Sequence, residues 1–142
     1  MKLREKDGDR QVFDPLRRRW VALTPEEEVR QTFVEILIEH LGFPMGRLGN
    51  EISLTQNGLS RRCDTVIYGD EGAAIGIIEY KAPEVKITKR VFEQVMRYAL
   101  ALNTRWIMVS NGTTHFCAEI CEGTPPECRF VRQIPTYAEL TQ

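Results

Sequence analysis

The chain has 142 residues, 42% apolar and 27% charged, with 20 acidic against 19 basic side chains and a net charge of −1. Those values suit one soluble globular domain over residues 1–142, burying roughly 70% of its unfolded surface. Overall charge neither announces nor excludes a nucleic-acid partner, because local basic patches steer ligands even on neutral proteins. No apolar run approaches membrane-spanning length, so no membrane partner is expected. The start, MKLREKDGDR, has no apolar stretch behind it, which predicts no signal peptide and a cytoplasmic location. Without a secretory context, Cys63, Cys117, Cys121 and Cys128 do not read as a disulfide framework.

Residues 1–11 are charged and read as a flexible, frayed segment. Val12, Phe13, Leu16, Trp20, Val21 and Leu23 then pack, with Trp20 expected as a core anchor. Arg17, Arg18 and Arg19 read as a solvated face or a ligand-facing patch. Thr24-Pro25-Glu26-Glu27 predicts a helix start, with Thr24 capping, Pro25 in the first turn and Glu27 completing a capping box. Val29, Phe33, Ile36, Leu37 and Leu41 follow at helical spacing, and Gly42 and Pro44 stop the helix. Glu28 lies beside Val29 at the margin of the buried face, a position from which it can look into a cleft.

Leu48 to Thr55 alternates as a strand, and Asn57-Gly58 predicts a hairpin turn. The next strand runs from Leu59 to Tyr68, with Cys63, Thr65 and Ile67 expected on one face and Asp64, Val66 and Tyr68 on the other. After the turn at residues 69–72, Ala73 to Lys81 is apolar on both faces until its end, as a central covered strand should be. Its alternation places Ile75, Ile77, Glu79 and Lys81 together. A second helix carries Ile87, Val91, Val95, Ala99 and Leu102, with Thr88 as cap. Gln94 and Tyr98 sit one turn apart on it. Lys86, Lys89, Arg90 and Arg97 make this region locally basic, a candidate substrate-binding face. Arg105 to Ser110, containing Trp-Ile-Met-Val, reads as a buried strand, Thr113 to Ile120 as another and Phe130-Val131 as a short last one. Residues 135–140 read as the start of a helix. A helix between two strands of one sheet favours a parallel crossover. The expected fold class is α/β, a mixed sheet flanked by helices.

The chemistry concentrates between Arg61 and Lys81. Asp64 and Glu79 fall on paired strands if residues 69–72 close a hairpin. Their oxygens could then share one magnesium ion, completed by the Tyr80 carbonyl and waters. Such a metal polarises a phosphate and lowers the pKa of a bound water. Lys81 could neutralise charge developing on the phosphate. Short strands often end in charged residues, so a solvated surface competes with this reading. His115, Cys117, Cys121 and Cys128 could together supply zinc ligands. However, the spacing has no tight C-x2-C, and Cys117 alternates in a strand, so buried or incidental thiols and no structural zinc are expected.

Asp64, then Glu79-Tyr80-Lys81, then Gln94-x3-Tyr98 resembles the PD-(D/E)xK nuclease superfamily. The order helix-strand-strand-strand-helix-strand also resembles its core. More narrowly, Thr24-Pro-Glu-Glu-Glu28-Val-Arg30, Gly42-Phe-Pro44, Arg62-Cys-Asp64, Glu79-Tyr-Lys-Ala-Pro83 and Val109-Ser-Asn-Gly112 look like the N-terminal nuclease domain of type I restriction enzyme R subunits. The likeness runs from about Val12 to Leu140. It implies a restriction-endonuclease-like fold and divalent-metal-dependent cleavage of DNA. Asp64 and Glu79 would hold Mg2+, with Mn2+ able to substitute. Lys81 would be catalytic, Glu28 would add an acidic group, and Gln94 and Tyr98 would support the site or touch substrate. Two departures stand out: Cys63 takes the place of the usual proline before Asp64, and no Walker-type loop occurs, so ATP-driven translocation is not expected. The implied partners are DNA and either restriction-modification subunits or a separate motor protein, with a homo-oligomer also compatible. A catalytically inactive DNA-binding or assembly module of the same fold is the competing reading. A metal-dependent phosphodiesterase acting on a smaller substrate is a third.

Overall fold

The computed structural model describes residues 1–142 throughout. The chain opens with a three-stranded antiparallel meander, β1 (Leu3–Lys6), β2 (Asp9–Asp14) and β3 (Arg19–Ala22). The expected frayed segment is therefore corrected: residues 3–6 and 9–11 are paired strand. Their charged side chains sit on the solvent side, while Val12 is fully buried. Trp20 is half-buried in this small sheet. It meets Phe13 edge-on at 5.5 Å and carries the Arg4 guanidinium 4.3 Å over its ring, so it anchors the meander and not the main core.

Helix α1 (Pro25–His40) follows. Thr24 caps it as expected, its hydroxyl oxygen accepting the Glu27 N–H at 3.0 Å. The expected capping box is corrected. The Glu27 carboxylate turns inward, because Arg17 and Arg30 offer it charged donors that the helix end cannot match.

The main sheet holds β4 (Leu48–Gln56), β5 (Leu59–Tyr68), β6 (Ala74–Tyr80), β7 (Trp106–Ser110), β8 (His115–Cys121) and β9 (Glu127–Val131), in that spatial order. Only β6 and β7 run parallel, joined by the crossover helix α2 (Lys89–Ala101). Asn57 and Gly58, with φ of 51° and 80°, make the two-residue β4–β5 turn that Asn-Gly favours. Helix α1 and the short α3 (Tyr137–Leu140) cover one face, where Phe33, Leu37 and Leu140 pack on Ile67, Ile78 and Met108. Helix α2 covers the other, setting Phe92, Val95 and Ala99 on Val66, Ile77 and Ile107. Strand β6 is thus central and covered on both sides.

Two expected face assignments are corrected. Cys63 packs with Val66 on the α2 side, whereas Thr65 bonds to Tyr80 and Asn50 beneath α1. Strict alternation is therefore broken at Asp64, opposite Glu51, whose φ is 56°. Ile75 packs on the α1 side while Ile77 packs under α2. The register shifts between Ile67 and Tyr68, leaving Ile75 as the extra residue of a bulge.

Candidate functional site

Pairing between β5 and β6 ends at Thr65 opposite Ile78. Beyond it the ladder is replaced by a side chain: Asp64 Oδ2 accepts the backbone N–H of Tyr80 at 2.9 Å. Asp64 is thereby fixed where the two strands part, with no hydrogen bond within the chain to Oδ1. Glu79 precedes Tyr80 and is 7% exposed. Burial first, and then the negative charge of Asp64 beside it, pushes the Glu79 carboxyl up to about 8. Arg61 and Lys81 draw it partly back. Glu79 Oε1 is buried with no hydrogen-bond partner.

Lys81 follows the last residue of β6. Its backbone N–H donates to the Ser110 carbonyl at 2.9 Å, extending the β6–β7 pairing by one residue. The next turn is also tied down. Asn111 is buried, donates to the Val85 carbonyl at 2.9 Å and accepts from the N–H groups of Thr113 and Thr114. The Val109-Ser-Asn-Gly112 stretch is therefore a brace for the segment after Lys81.

Asp64 and Glu79 come together at this strand end, and the Lys81 charge acts on Glu79 there. The first-helix carboxylate that senses them is Glu26, whose carboxyl is raised by burial and then by Asp64, and lowered by Lys81. Glu28 is exposed and looks into a neighbouring open cleft of about 490 Å³, lined also by Arg10, Thr32 and Pro83. Two residues along a helix turn a side chain by roughly 200°, so Glu26 and Glu28 cannot face one place.

On α2, Tyr98 is half-buried and reaches the site through Arg61, whose guanidinium carbon lies 3.5 Å from the ring centroid. Gln94 is exposed and makes no hydrogen bond within the chain. Lys86, Lys89 and Arg97 are exposed too, and Lys89 pairs loosely with Glu93 at 3.8 Å.

A buried polar network that the sequence reading missed holds the site from behind. The Tyr80 hydroxyl donates to Thr65 Oγ1 at 2.9 Å, Thr65 donates to Asn50 Oδ1 at 2.6 Å, and Asn50 donates to Asp14 Oδ2 at 3.0 Å. Arg17 joins Asp14 to Glu27. Arg30 grips Glu27 with two nitrogens and donates Nη1 to Glu51 at 2.9 Å and to the Asp64 carbonyl at 3.0 Å. Burial alone would raise the Glu27 carboxyl, but Arg30, Arg17 and Gln31 together hold it below its ordinary value. Apolar strands flanking Asn50 and Thr65 were the available signal, since buried amides and hydroxyls need partners.

The donor set suits a hard cation. Asp64 Oδ1 and Glu79 Oε1 are carboxylate oxygens without partners inside the chain, and two adjacent like charges gain from a cation between them. No group of three or more His, Cys, Asp or Glu side chains converges. Asp64 and Glu79 would thus be two acidic ligands to such an ion, with waters in the remaining positions that magnesium keeps. Of the cysteines, Cys63 adjoins this site and feels the charge of Glu79. Burial pushes the Cys63 thiol up to about 11 and the Cys117 thiol up to about 12, while Cys121 and Cys128 are half-buried near the sheet edge. His115 Nδ1 lies 2.6 Å from Ser110 Oγ.

A crystal structure of a DUF820 protein from Anabaena variabilis ATCC 29413, which carries a provisional nuclease assignment, shares the fold. It matches with a TM-score of 0.50 over 95% of this chain and 87% of that one, at 12% sequence identity. At that identity the likeness speaks for architecture alone. No curated protein sequence matches the chain, and no helix is long and apolar enough to cross a membrane. Residues 25–135 match the family described as Type I restriction enzyme R protein N terminus (HSDR_N), a stretch running from the first residue of α1 through the strand-end site to the approach of α3. A mixed sheet whose central strand leads through Glu79-Tyr80 into Lys81 beside Asp64 agrees with a PD-(D/E)xK-like nuclease, and the chain belongs to the Type I restriction enzyme R protein N-terminus family.

Proposed function

We propose that this chain is one domain acting as a divalent-metal-dependent DNA nuclease, hydrolysing phosphodiester bonds at the Asp64–Glu79–Lys81 site. The observation that carries the reading is the carboxylate pair. Glu79 is buried against Asp64 with one oxygen unpartnered, an arrangement that costs stability unless a cation relieves it. Asp64 and Glu79 are the proposed ligands of Mg2+, with Mn2+ as substitute. The metal, when bound, polarises the scissile phosphate and lowers the pKa of a water. Lys81 supplies a compact positive charge where phosphoryl oxygens gain negative charge. Tyr80 N–H holds Asp64 in place, and Lys86, Lys89 and Arg97 give the exposed α2 region a positive face for the DNA backbone. Partner subunits of a restriction-type assembly, or a separate motor, would bring the DNA.

A second reading is favoured by one specific observation: only two acidic ligands meet at the site, and no third joins them. On that reading the fold is a non-cleaving DNA-binding or assembly module. The experiment that separates the two uses purified protein with linear, circular and single-stranded DNA, in magnesium and in manganese, across salt concentrations. Metal-dependent cleavage that Asp64→Asn abolishes supports the nuclease. Tight DNA binding without cleavage in either metal supports the module.

A further inference from the structure

Two buried side-chain polar atoms lack a hydrogen-bond partner, Arg61 Nε and Glu79 Oε1. They belong to residues that face each other. Arg61 Nη2 stands 3.7 Å from Glu79 Oε1, beyond hydrogen-bond length. A flexible arginine whose role was to neutralise Glu79 would close that gap. Instead its guanidinium lies over the Tyr98 ring, 3.5 Å from the centroid, held there by α2 from across the β5 surface. Stacking of this kind fixes the plane of the fork and leaves its N–H edge for a partner. The side chain remains 29% exposed although Nε itself is buried, which leaves the terminal nitrogens as the part of the fork that a ligand approaches. Its neighbour Arg62 differs, closing on Glu51 at 2.7 Å.

Resting on the nuclease-site reading, we propose that Arg61, clamped on Tyr98, is a DNA-phosphate-binding residue of the site. A planar guanidinium matches the non-bridging oxygens of a phosphodiester, and such an anion finds donors in the terminal nitrogens, which make no hydrogen bond within the chain. The phosphate bound is one beside the scissile position, because Arg61 precedes Asp64 by three residues on β5. Glu79 repels that phosphate while it is ionised and bare. Cation binding at the carboxylate pair and phosphate binding at Arg61 therefore favour each other, and the coupling is reciprocal.

The test is DNA affinity against salt. Anisotropy of a short labelled DNA duplex is measured for wild type, Arg61→Gln, Arg61→Lys and Tyr98→Ala, once in calcium and once in EDTA, with thermal melts beside each. Arg61→Gln is expected to bind roughly tenfold more weakly, as for a lost charged hydrogen bond. Its salt slope should shrink by about 0.9, the value for one phosphate contact. Arg61→Lys keeps the slope and loses part of the affinity, since a point charge replaces the fork. Tyr98→Ala weakens binding with the slope intact, and calcium tightens wild type more than Arg61→Gln. A merely structural Arg61 lowers the melting temperature and leaves the slope unchanged in both conditions, which overturns the proposal. So does a folded Arg61→Lys with a wild-type affinity, or a wild type that binds no DNA at low salt. Absent cleavage together with a reduced Arg61→Gln slope removes the nuclease reading alone. Intact cleavage with an unchanged slope removes the Arg61 assignment alone.

Discussion

One guanidinium nitrogen of Arg30 donates to the backbone carbonyl of Asp64 at 3.0 Å while the same side chain grips Glu27 and Glu51. The first helix thus holds the strand at the residue where alternation breaks. Arg30 and Glu27 are both buried, so replacing Arg30 leaves carboxylates and a carbonyl without partners. Arg30→Met is expected to cost about 3–5 kcal/mol, the range for a buried pair losing one member, and urea unfolding measures it. A loss below about 1 kcal/mol, the size of an exposed pair, would remove Arg30 from this role.

Tyr80 offers a gentler probe of the same network. Its ring is buried beside Phe33, and its hydroxyl donates to Thr65. Tyr80→Phe keeps the packing and deletes the bond, for an expected loss of about 1 kcal/mol. Unfolding midpoints of Tyr80→Phe and Asn50→Ala, alone and combined, test whether the chain of bonds acts as a unit. Strict additivity of the two losses would contradict a coupled network.

Glu79 ties stability to pH. Its folded carboxyl titrates near 8 against an ordinary 4.5, because burial and Asp64 disfavour the charge. The folded state therefore binds the proton more tightly than the unfolded chain. This contribution is fully favourable below the ordinary value and is lost as pH rises through the folded value. In EDTA, wild-type stability should fall relative to Glu79→Gln between pH 5 and pH 8.5, by on the order of a few kcal/mol. Excess manganese should flatten the difference. Parallel curves for the two proteins in EDTA would show that Glu79 is not so perturbed.

Much of this arrangement is legible in residue order. Thr24-Pro25 announces α1, Asn57-Gly58 announces the β4–β5 turn, and an apolar run ending in Glu79-x-Lys81 announces a central strand with charged groups at its end. What escapes is whatever depends on a partner far along the chain. Glu27 looks like a capping residue until Arg17 and Arg30 are brought to it. The charged residues 1–11 look frayed until β2 and β3 pair them. Cys63 and Ile75 change faces because Asp64 and a bulge interrupt the period of two. The choice between Glu26 and Glu28 is a matter of helix phase, and a buried margin two residues wide does not resolve it.

That last point is directly testable. Glu26→Gln should weaken manganese binding severalfold, because Glu26 lies near enough to the site to feel the charges of Asp64 and Lys81. Glu28→Gln, on the neighbouring cleft, should leave it near wild type. Calorimetric titration of the two variants decides the helix phase, and the reverse order of effects would restore Glu28.

The most direct measurement of the central claim is DNA cleavage by Lys81→Ala beside wild type, in magnesium and manganese, with metal affinity and thermal stability recorded on the same preparations. On the proposed mechanism Lys81 acts on charge that develops during the reaction, so its removal should cost roughly 100-fold or more in rate. Folding and most of the metal affinity should remain. Glu79→Gln should instead lose the metal. Equal cleavage by wild type and Lys81→Ala would contradict the account, since the hydrolysis would then come from elsewhere.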